Sequence, residues 1–186
     1  DLTSFDKITE QTKKILDTNK IPLVLGGNHL LSLYSLEAFD NVKLIVFDAH
    51  GDFKNSYEDE KIRSMNESSG IEYNNQINDA TWLRRISEVI PPQNILLLGV
   101  RSCDEFEFDD LKKSGIKFFT NRAIEEHQDE VIEFVRHFTS ESKVYVSVDV
   151  DVFDPSIAPA VDMPEPDGIF FNDFQKLISA IKGRLV

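Results

Sequence analysis

Five short apolar runs, each followed by a polar or amphipathic segment, constrain this chain more than any other feature. They are IPLVLGG (Ile21 to Gly27), KLIVFDAH (Lys43 to His50), NILLLGVRS (Asn94 to Ser102), IKFFT (Ile116 to Thr120) and KVYVSVDV (Lys143 to Val150). Runs this short and this uniformly apolar suit strands buried on both faces. Between them lie segments that read as helices. Thr3 to Asn19 carries Phe5, Ile8, Thr12 and Ile15 at near-helical spacing, and LLSLYSLEAF follows the first run. Thr81 to Val89 ends before Pro91 and Pro92, and Glu105 to Lys113, Asn121 to Phe138 and Phe171 to Lys182 complete the set. Alternation of this kind predicts an α/β fold with a mainly parallel sheet covered on both sides. The polar stretch from Gly51 to about Asn78 has no clear period, and a loop of that length is more often functional or mobile than structural.

In open parallel sheets, ligands bind beyond the carboxyl ends of the strands. Here the first run ends in Gly26, Gly27, Asn28 and His29, and the second in Asp48, Ala49, His50, Gly51 and Asp52. The last ends in Asp149, Val150 and Asp151. Three runs therefore deliver His and Asp to one end of the sheet, whereas the run ending GVRS delivers neither. Residues two apart on a strand share a face, so Asp149 and Asp151 are expected side by side, with Val148, Val150 and Val152 opposite. Asp48 and His50 have the same spacing, and Asp52 joins them where the chain turns at Gly51.

Buried carboxylates in an apolar strand are costly, and two that face each other repel. A divalent cation between them removes the conflict. A mixed set of imidazole and carboxylate suits zinc, iron or manganese better than calcium, which prefers all-oxygen cages. His29, Asp48, His50, Asp52, Asp149 and Asp151 make six candidate ligands, enough for two ions. Asp154, before Pro155, reads instead as the start of a turn. His127 and His137 lie away from strand ends and read as surface residues. Cys103 has no base beside it in sequence and is a poor nucleophile candidate.

Composition narrows the partners. The net charge of −13 argues against nucleic acid, which needs a basic surface, and favours a cationic small molecule or metal ions. No apolar run approaches the roughly 18 residues that cross a bilayer, and the N-terminus lacks a secretory pattern. One cysteine among 186 residues allows no internal disulfide and fits a cytoplasmic setting.

In this order, GGNH, FDAHGD and SVDVDVFDPSIAP resemble the ureohydrolases, the family of arginase and agmatinase, whose motifs run GGDHS, DAHxD and SxDxDxxDP. LLLGVRS resembles the family's IGIRS strand, and PEPDG (Pro164 to Gly168) resembles the agmatinase-like PEPGG more than the arginase form. The likeness extends from Ile21 nearly to the end. It implies a three-layer α/β/α arginase-like fold and a pair of Mn2+ ions. By motif, His29, Asp48, Asp52 and Asp149 would hold one ion, and Asp48, His50, Asp149 and Asp151 the other. A bridging hydroxide would attack the guanidinium carbon of an agmatine-like substrate and release urea and an amine. Asp52 would carry the proton to the leaving group. The family also implies a homo-oligomer, a trimer or hexamer.

The sequence departs from the family at several points. Asn28 replaces an aspartate and Leu30 a serine. In NDATWLRRI, which resembles SHGTxLRR, Asp79 takes the place of a histidine that relays protons or positions substrate, and a carboxylate cannot relay at neutral pH as imidazole does. Residues 1–186 are expected to form a single ureohydrolase-like domain lacking the family's first strand and last strands. Two other readings stand beside the hydrolase: a noncatalytic metal-binding relative, and a hydrolase of another amidine such as formiminoglutamate. A nucleotide-binding domain is disfavoured, because neither a Gly-x-Gly-x-x-Gly fingerprint nor a P-loop lysine follows Gly26 and Gly27.

Overall fold

A computed structural model of the chain describes residues 6–58 and 74–186. Most of the polar Gly51-to-Asn78 stretch and the first residues of the Thr3-to-Asn19 helix lie outside the described residues. The architecture is α/β, as the alternation of apolar runs predicts. Helix α1 (Asp6–Leu16) and helix α2 (Leu30–Leu36) precede strand β1 (Val42–Phe47). After them come α3 (Trp82–Ser87), β2 (Ile95–Val100), α4 (Glu105–Ser114), β3 (Lys117–Thr120), α5 (Asn121–Glu126), α6 (Gln128–Thr139), β4 (Lys143–Val148), α7 (Phe171–Ser179) and β5 (Arg184–Leu185). The sheet order is β3-β2-β1-β4-β5, and every pairing is parallel.

The central strands are apolar at successive positions because each face meets its own helical layer. Leu44, Val46, Ile95 and Leu97 point into a cluster with Trp82, Leu83, Ile86 and Leu111. Their neighbours Ile45, Phe47, Leu96 and Leu98 point the other way, into Ile124, Val131, Val135 and Leu177. Full burial of each such side chain stabilises by roughly 1.5–3 kcal/mol. That two-sided demand, rather than alternation, explains the uniform runs.

Capping follows local chemistry. Asp104 opens α4 by accepting from the Glu107 N–H, and Thr120 opens α5 by accepting from the Ala123 N–H. Gly99 interrupts β2 with a positive φ of 98°, at a register shift between Leu98 and Val100. A methyl group there would meet Val152 Cγ2 at 2.5 Å.

Four expectations need correction. Ile21 to Gly27 is not a strand. Ile21, Leu23 and Leu25 are 62%, 80% and 83% exposed, and the segment has no ladder partner among the described residues. Apolar composition favours extended backbone, but only a neighbouring edge supplies the hydrogen bonds of a strand. The run to Val150 is not the last strand either, because β5 pairs with β4 through Lys143 with Arg184 and Val144 with Leu185. Two residues, one of them charged, carry no strand pattern. The helix expected over Asn121 to Phe138 is two helices broken at His127, whose φ and ψ are −133° and 38°. The apolar stripe runs on from Ile124 through Val131, so spacing alone carries no sign of the break. Finally, the second and last runs leave the sheet at Phe47 and Val148, before their functional residues.

Candidate metal centre

Because β1 and β4 are paired with Phe47 opposite Val148, the next residues, Asp48 and Asp149, stand side by side at the carboxyl end of the sheet. Each folds back on its own chain. Asp48 Oδ1 accepts the His50 N–H at 2.7 Å, and Asp149 Oδ1 accepts the Asp151 N–H at 3.0 Å. These turns, not the strand pleat, bring each i and i+2 pair together. Aspartate is suited to this because its short carboxylate competes for nearby backbone N–H groups. The turn after β4 is a single 3-10 turn, which buries Val152 and leaves Val148 and Val150 exposed at 40% and 53%.

The other side chains converge on this pair. His50 Nδ1 lies 3.0 Å from Asp151 Oδ2 and 3.7 Å from Asp48 Oδ1. His29 comes from the residue before α2 rather than from a strand end, after Asn28 Oδ1 has accepted the Leu30 N–H at 2.9 Å. Its Nδ1 lies 3.1 Å from Asp48 Oδ2 and 3.4 Å from both Asp52 Oδ2 and Asp149 Oδ2. Its Nε2 lies 2.8 Å from Ser147 Oγ, which in turn bonds Ser32 Oγ at 2.7 Å. Asp52 sits in the left-handed region with φ of 47°.

Two sets of ligand atoms, each within 4.8 Å of one another, result: His29 with Asp48 and Asp52, and Asp48 with His50 and Asp151. Asp48 belongs to both. Asp149 joins them through its approach to His29. Among the described residues, His29 Nδ1, Asp48 Oδ2 and His50 Nε2 are buried without a hydrogen-bond partner. Buried polar atoms are normally satisfied, so His29 Nδ1 and Asp48 Oδ2, 3.1 Å apart within one acidic cluster, fit a cation site. His50 instead meets the cluster with Nδ1 and turns Nε2 toward Glu165.

The electrostatics carry the same strain. Burial opposes a charge on His29, but Asp48 and Asp52 hold the imidazolium up to about 10. Burial likewise opposes His50, and Asp151 and Asp48 carry it to about 11. Burial alone would raise Asp48, yet His29 and His50 pull it down to about 2. Asp52 is pushed up to about 8 by burial and the Asp48 charge, and Asp149 to about 6 by burial with Asp48 and Asp151. Without a metal, protons must balance these carboxylates.

Asp79 is also near. It lies in a 3-10 turn, Asp79–Thr81, with Oδ1 buried and unpartnered. Burial raises its pKa, against the pull of the His29 charge and a hydrogen bond from Asn28. His127 and His137 are exposed, as expected. Asp154 makes the expected turn, with Oδ1 accepting the Ser156 N–H at 2.9 Å and Oδ2 the Gly168 N–H at 3.2 Å. Burial pushes the Cys103 thiol up to about 12, so it is no nucleophile.

The run ending GVRS contributes after all. The Arg101 guanidinium donates to the carbonyls of Gly99, Asp151, Val152, Glu165 and Pro166. Ser102 Oγ donates to Glu165 Oε1 at 2.8 Å, and that oxygen lies 3.5 Å from His50 Nε2. Glu165 escapes sequence reasoning because it follows no strand; its position inside PEPDG was the available signal. Trp82 and Ser147 also escape, since one reads as core and the other as strand interior.

Known proteins resemble this chain in sequence and in fold. The pattern of the Arginase family matches residues 1–186. The chain belongs to the arginase family. It is 32% identical to an arginase of Bacillus subtilis (strain 168) over 183 residues, covering 92% of this chain and 60% of that protein. Identity to an agmatinase of Bacillus cereus is 30% over 182 residues, covering 96% of this chain and 56% of that one. The agmatine ureohydrolase of Thermoplasma volcanium superposes with a TM-score of 0.80 at 30% identity, covering 97% of this chain and 57% of that structure. The chain thus spans a little over half the length of these relatives. The stretches GGNH, FDAHGD and SVDVDVFDP meet at the cluster. Among the described residues no helix is long and apolar enough to cross a membrane.

Proposed function

We propose that this arginase-family chain, read as one domain over residues 1–186, supports metal-dependent hydrolysis of a cationic guanidino compound, agmatine-like, to urea and an amine. The observation that carries this reading is the convergence of His29, His50 and four aspartates, with His29 Nδ1 and Asp48 Oδ2 buried among them and unpartnered. His29, Asp48, Asp52 and Asp149 would hold one ion, and Asp48, His50, Asp149 and Asp151 the other. By the resemblance to the family, the ions would be Mn2+ and the assembly a trimer or hexamer. Two such ions, when bound, make water a nucleophile at neutral pH.

The chain's own groups prepare the rest. The Asp48 and Asp149 turns fix the two carboxylates that both ions would share. Ser147 anchors the far nitrogen of His29, which keeps Nδ1 directed at the carboxylates. The net charge of −13 would favour the approach of a cationic guanidinium. Asp52, at the position the family motif uses for this step, would take up a proton and pass it to the leaving amine.

A second reading has one specific support. Asp79, half-buried and within the field of the His29 charge, stands where the resembling family segment has a histidine, so the chain would hold metal without turnover. Manganese-loaded protein would be offered agmatine, arginine, guanidinobutyrate and guanidinopropionate, with urea and bound metal counted in one sample. Urea from one of them supports the hydrolase; two ions without urea favour the noncatalytic reading; no bound ion overturns both.

A further inference from the structure

Trp82 is the chain's one tryptophan, and it is fully buried. Its indole N–H donates to Asp52 Oδ2 at 2.8 Å. Its ring centroid lies 4.2 Å from that of His29, with the planes tilted by 32°. The next residue adds a second hold, because the Leu83 N–H donates to the Asp52 carbonyl at 3.1 Å. Arg84 Nη1 then reaches the Phe53 carbonyl at 3.3 Å. The start of α3 therefore grips Asp52 by its carbonyl and by its carboxylate. That grip matters because Asp52 has a φ of 47°, a region costly for a residue with a side chain.

We propose that Trp82 is a positioning residue for the His29 side of the centre: it fixes the orientation of the Asp52 carboxylate and seats the His29 ring, and so sets the affinity of one ion and not the other. The inference rests on the metal reading given above. An indole nitrogen can only donate, so Oδ2 must serve as its acceptor. That leaves the carboxylate turned toward His29 Nδ1, 3.4 Å away. Groups that orient a metal ligand in this way affect metal affinity by about 10–100-fold. No such contact links Trp82 to His50 or Asp151, which lie on the other side of Asp48. A tryptophan serving only as core filling would be tolerant of losing its N–H.

The experiment uses the whole chain, as wild type and as Trp82→Phe, titrated with Mn2+ by calorimetry and with Co2+ by absorbance. Phenylalanine keeps a ring against His29 but removes the donor and part of the buried indole's volume. The expected result is one ion weakened by about 10–100-fold and the other unchanged, with the metal-free variant folded but melting lower because the smaller ring leaves a void. Wild-type tryptophan emission should also change as the His29 side fills. Two ions bound by the variant as tightly as by wild type would overturn the inference while leaving the metal reading intact. Equal weakening of both ions would overturn it too, since that indicates general loosening. Should the variant not fold, wild-type emission that stays constant while two ions bind would overturn it. A wild-type chain that binds no ion brings down the metal reading itself.

Discussion

Asp48 and Asp149 open matching turns at the ends of two paired strands, each accepting the N–H of the residue two ahead. One Asp oxygen is thereby committed to the backbone and the other is left facing the histidines: Asp48 Oδ2 is 3.1 Å and Asp149 Oδ2 3.4 Å from His29 Nδ1. The pairing of β1 with β4 is what makes the two carboxylates neighbours. A register slip of one residue would separate them and turn every core side chain to the wrong face.

Two substitutions at Asp149 separate its charge from its turn. Asp149→Asn keeps an acceptor for the Asp151 N–H, whereas Asp149→Ala removes it. Both should lower metal affinity by more than about 100-fold, beyond the 10–100-fold typical of changes outside the ligand set. In the metal-free state they should differ. The carboxyl of Asp149 is pushed up to about 6 by burial, Asp48 and Asp151, so its charge is unfavourable at pH 8. Asp149→Asn should then raise metal-free stability, and Asp149→Ala should fall below it by about 1 kcal/mol for the lost hydrogen bond. Denaturant melts and metal counting after dialysis check both; wild-type metal content in the Asn variant would remove Asp149 from the ligand set.

Ser147→Ala should act through His29. The hydroxyl bonds His29 Nε2 at 2.8 Å and is held by Ser32 at 2.7 Å. Losing it frees the ring to turn and leaves Ser32 Oγ buried without this partner. Manganese affinity should fall by about 10–100-fold. Calorimetric titration measures this, and an unchanged isotherm would show that the serine pair only fills space.

Much of this site was legible in the sequence, and the misses have physical causes. The six candidate residues were found because His and Asp at strand ends are chemically conspicuous, and the structure brings all six together. The route was misread. The pleat was expected to pair Asp48 with His50 and Asp149 with Asp151, but both pairs form in turns because aspartate captures its own backbone. His29 was expected at a strand end and instead precedes a helix. Trp82 and Glu165 were invisible because their partners, Asp52 and His50, are distant in sequence and no local pattern encodes the contact. The Ile21-to-Gly27 strand failed because pairing depends on a neighbour, which composition cannot supply.

Metal uptake should release protons. In the metal-free protein His29 and His50 stand at about 10 and 11, and Asp52 at about 8, so all three carry protons at pH 7. Ligands must give these up to bind an ion. Affinity should therefore rise with pH between 6 and 9, and the calorimetric heat should vary with the ionisation enthalpy of the buffer. A heat independent of buffer would show that the cluster is already deprotonated.

Metal-free stability should run the opposite way. The folded pKa values of His29 and His50 lie above the ordinary value of about 6.5, so the folded state binds these protons more tightly. Their contribution is fully present below about pH 6.5 and is lost as pH rises through 10 and 11. Asp52, raised to about 8, works in the same direction between about 4 and 8. The metal-free melting temperature should fall from pH 6.5 to 10, and excess Mn2+ should reverse the trend. A metal-free chain that gains stability over this range would show that the histidines are not held charged.

Arg101 offers a test of how far the site depends on its backbone frame. The guanidinium spans five carbonyls, among them Asp151 at 2.8 Å and Glu165 at 2.8 Å, and so ties the turn after β4 to the PEPDG segment. Burial lowers its pKa, but it remains charged beside Asp151 and Glu165. Lysine keeps the charge but presents a single ammonium in place of a planar fork, so several carbonyls lose their donor. Each unsatisfied buried acceptor costs about 1–3 kcal/mol where water cannot reach it. Arg101→Lys should therefore lower stability by at least about 1 kcal/mol and weaken the ion held by His50 and Asp151 more than the one held by His29. Urea denaturation and Co2+ titration read the two effects separately. Unchanged stability would mean that water replaces the guanidinium, and an evenly shared loss of affinity would mean that Arg101 supports the sheet end as a whole and not the Asp151 turn.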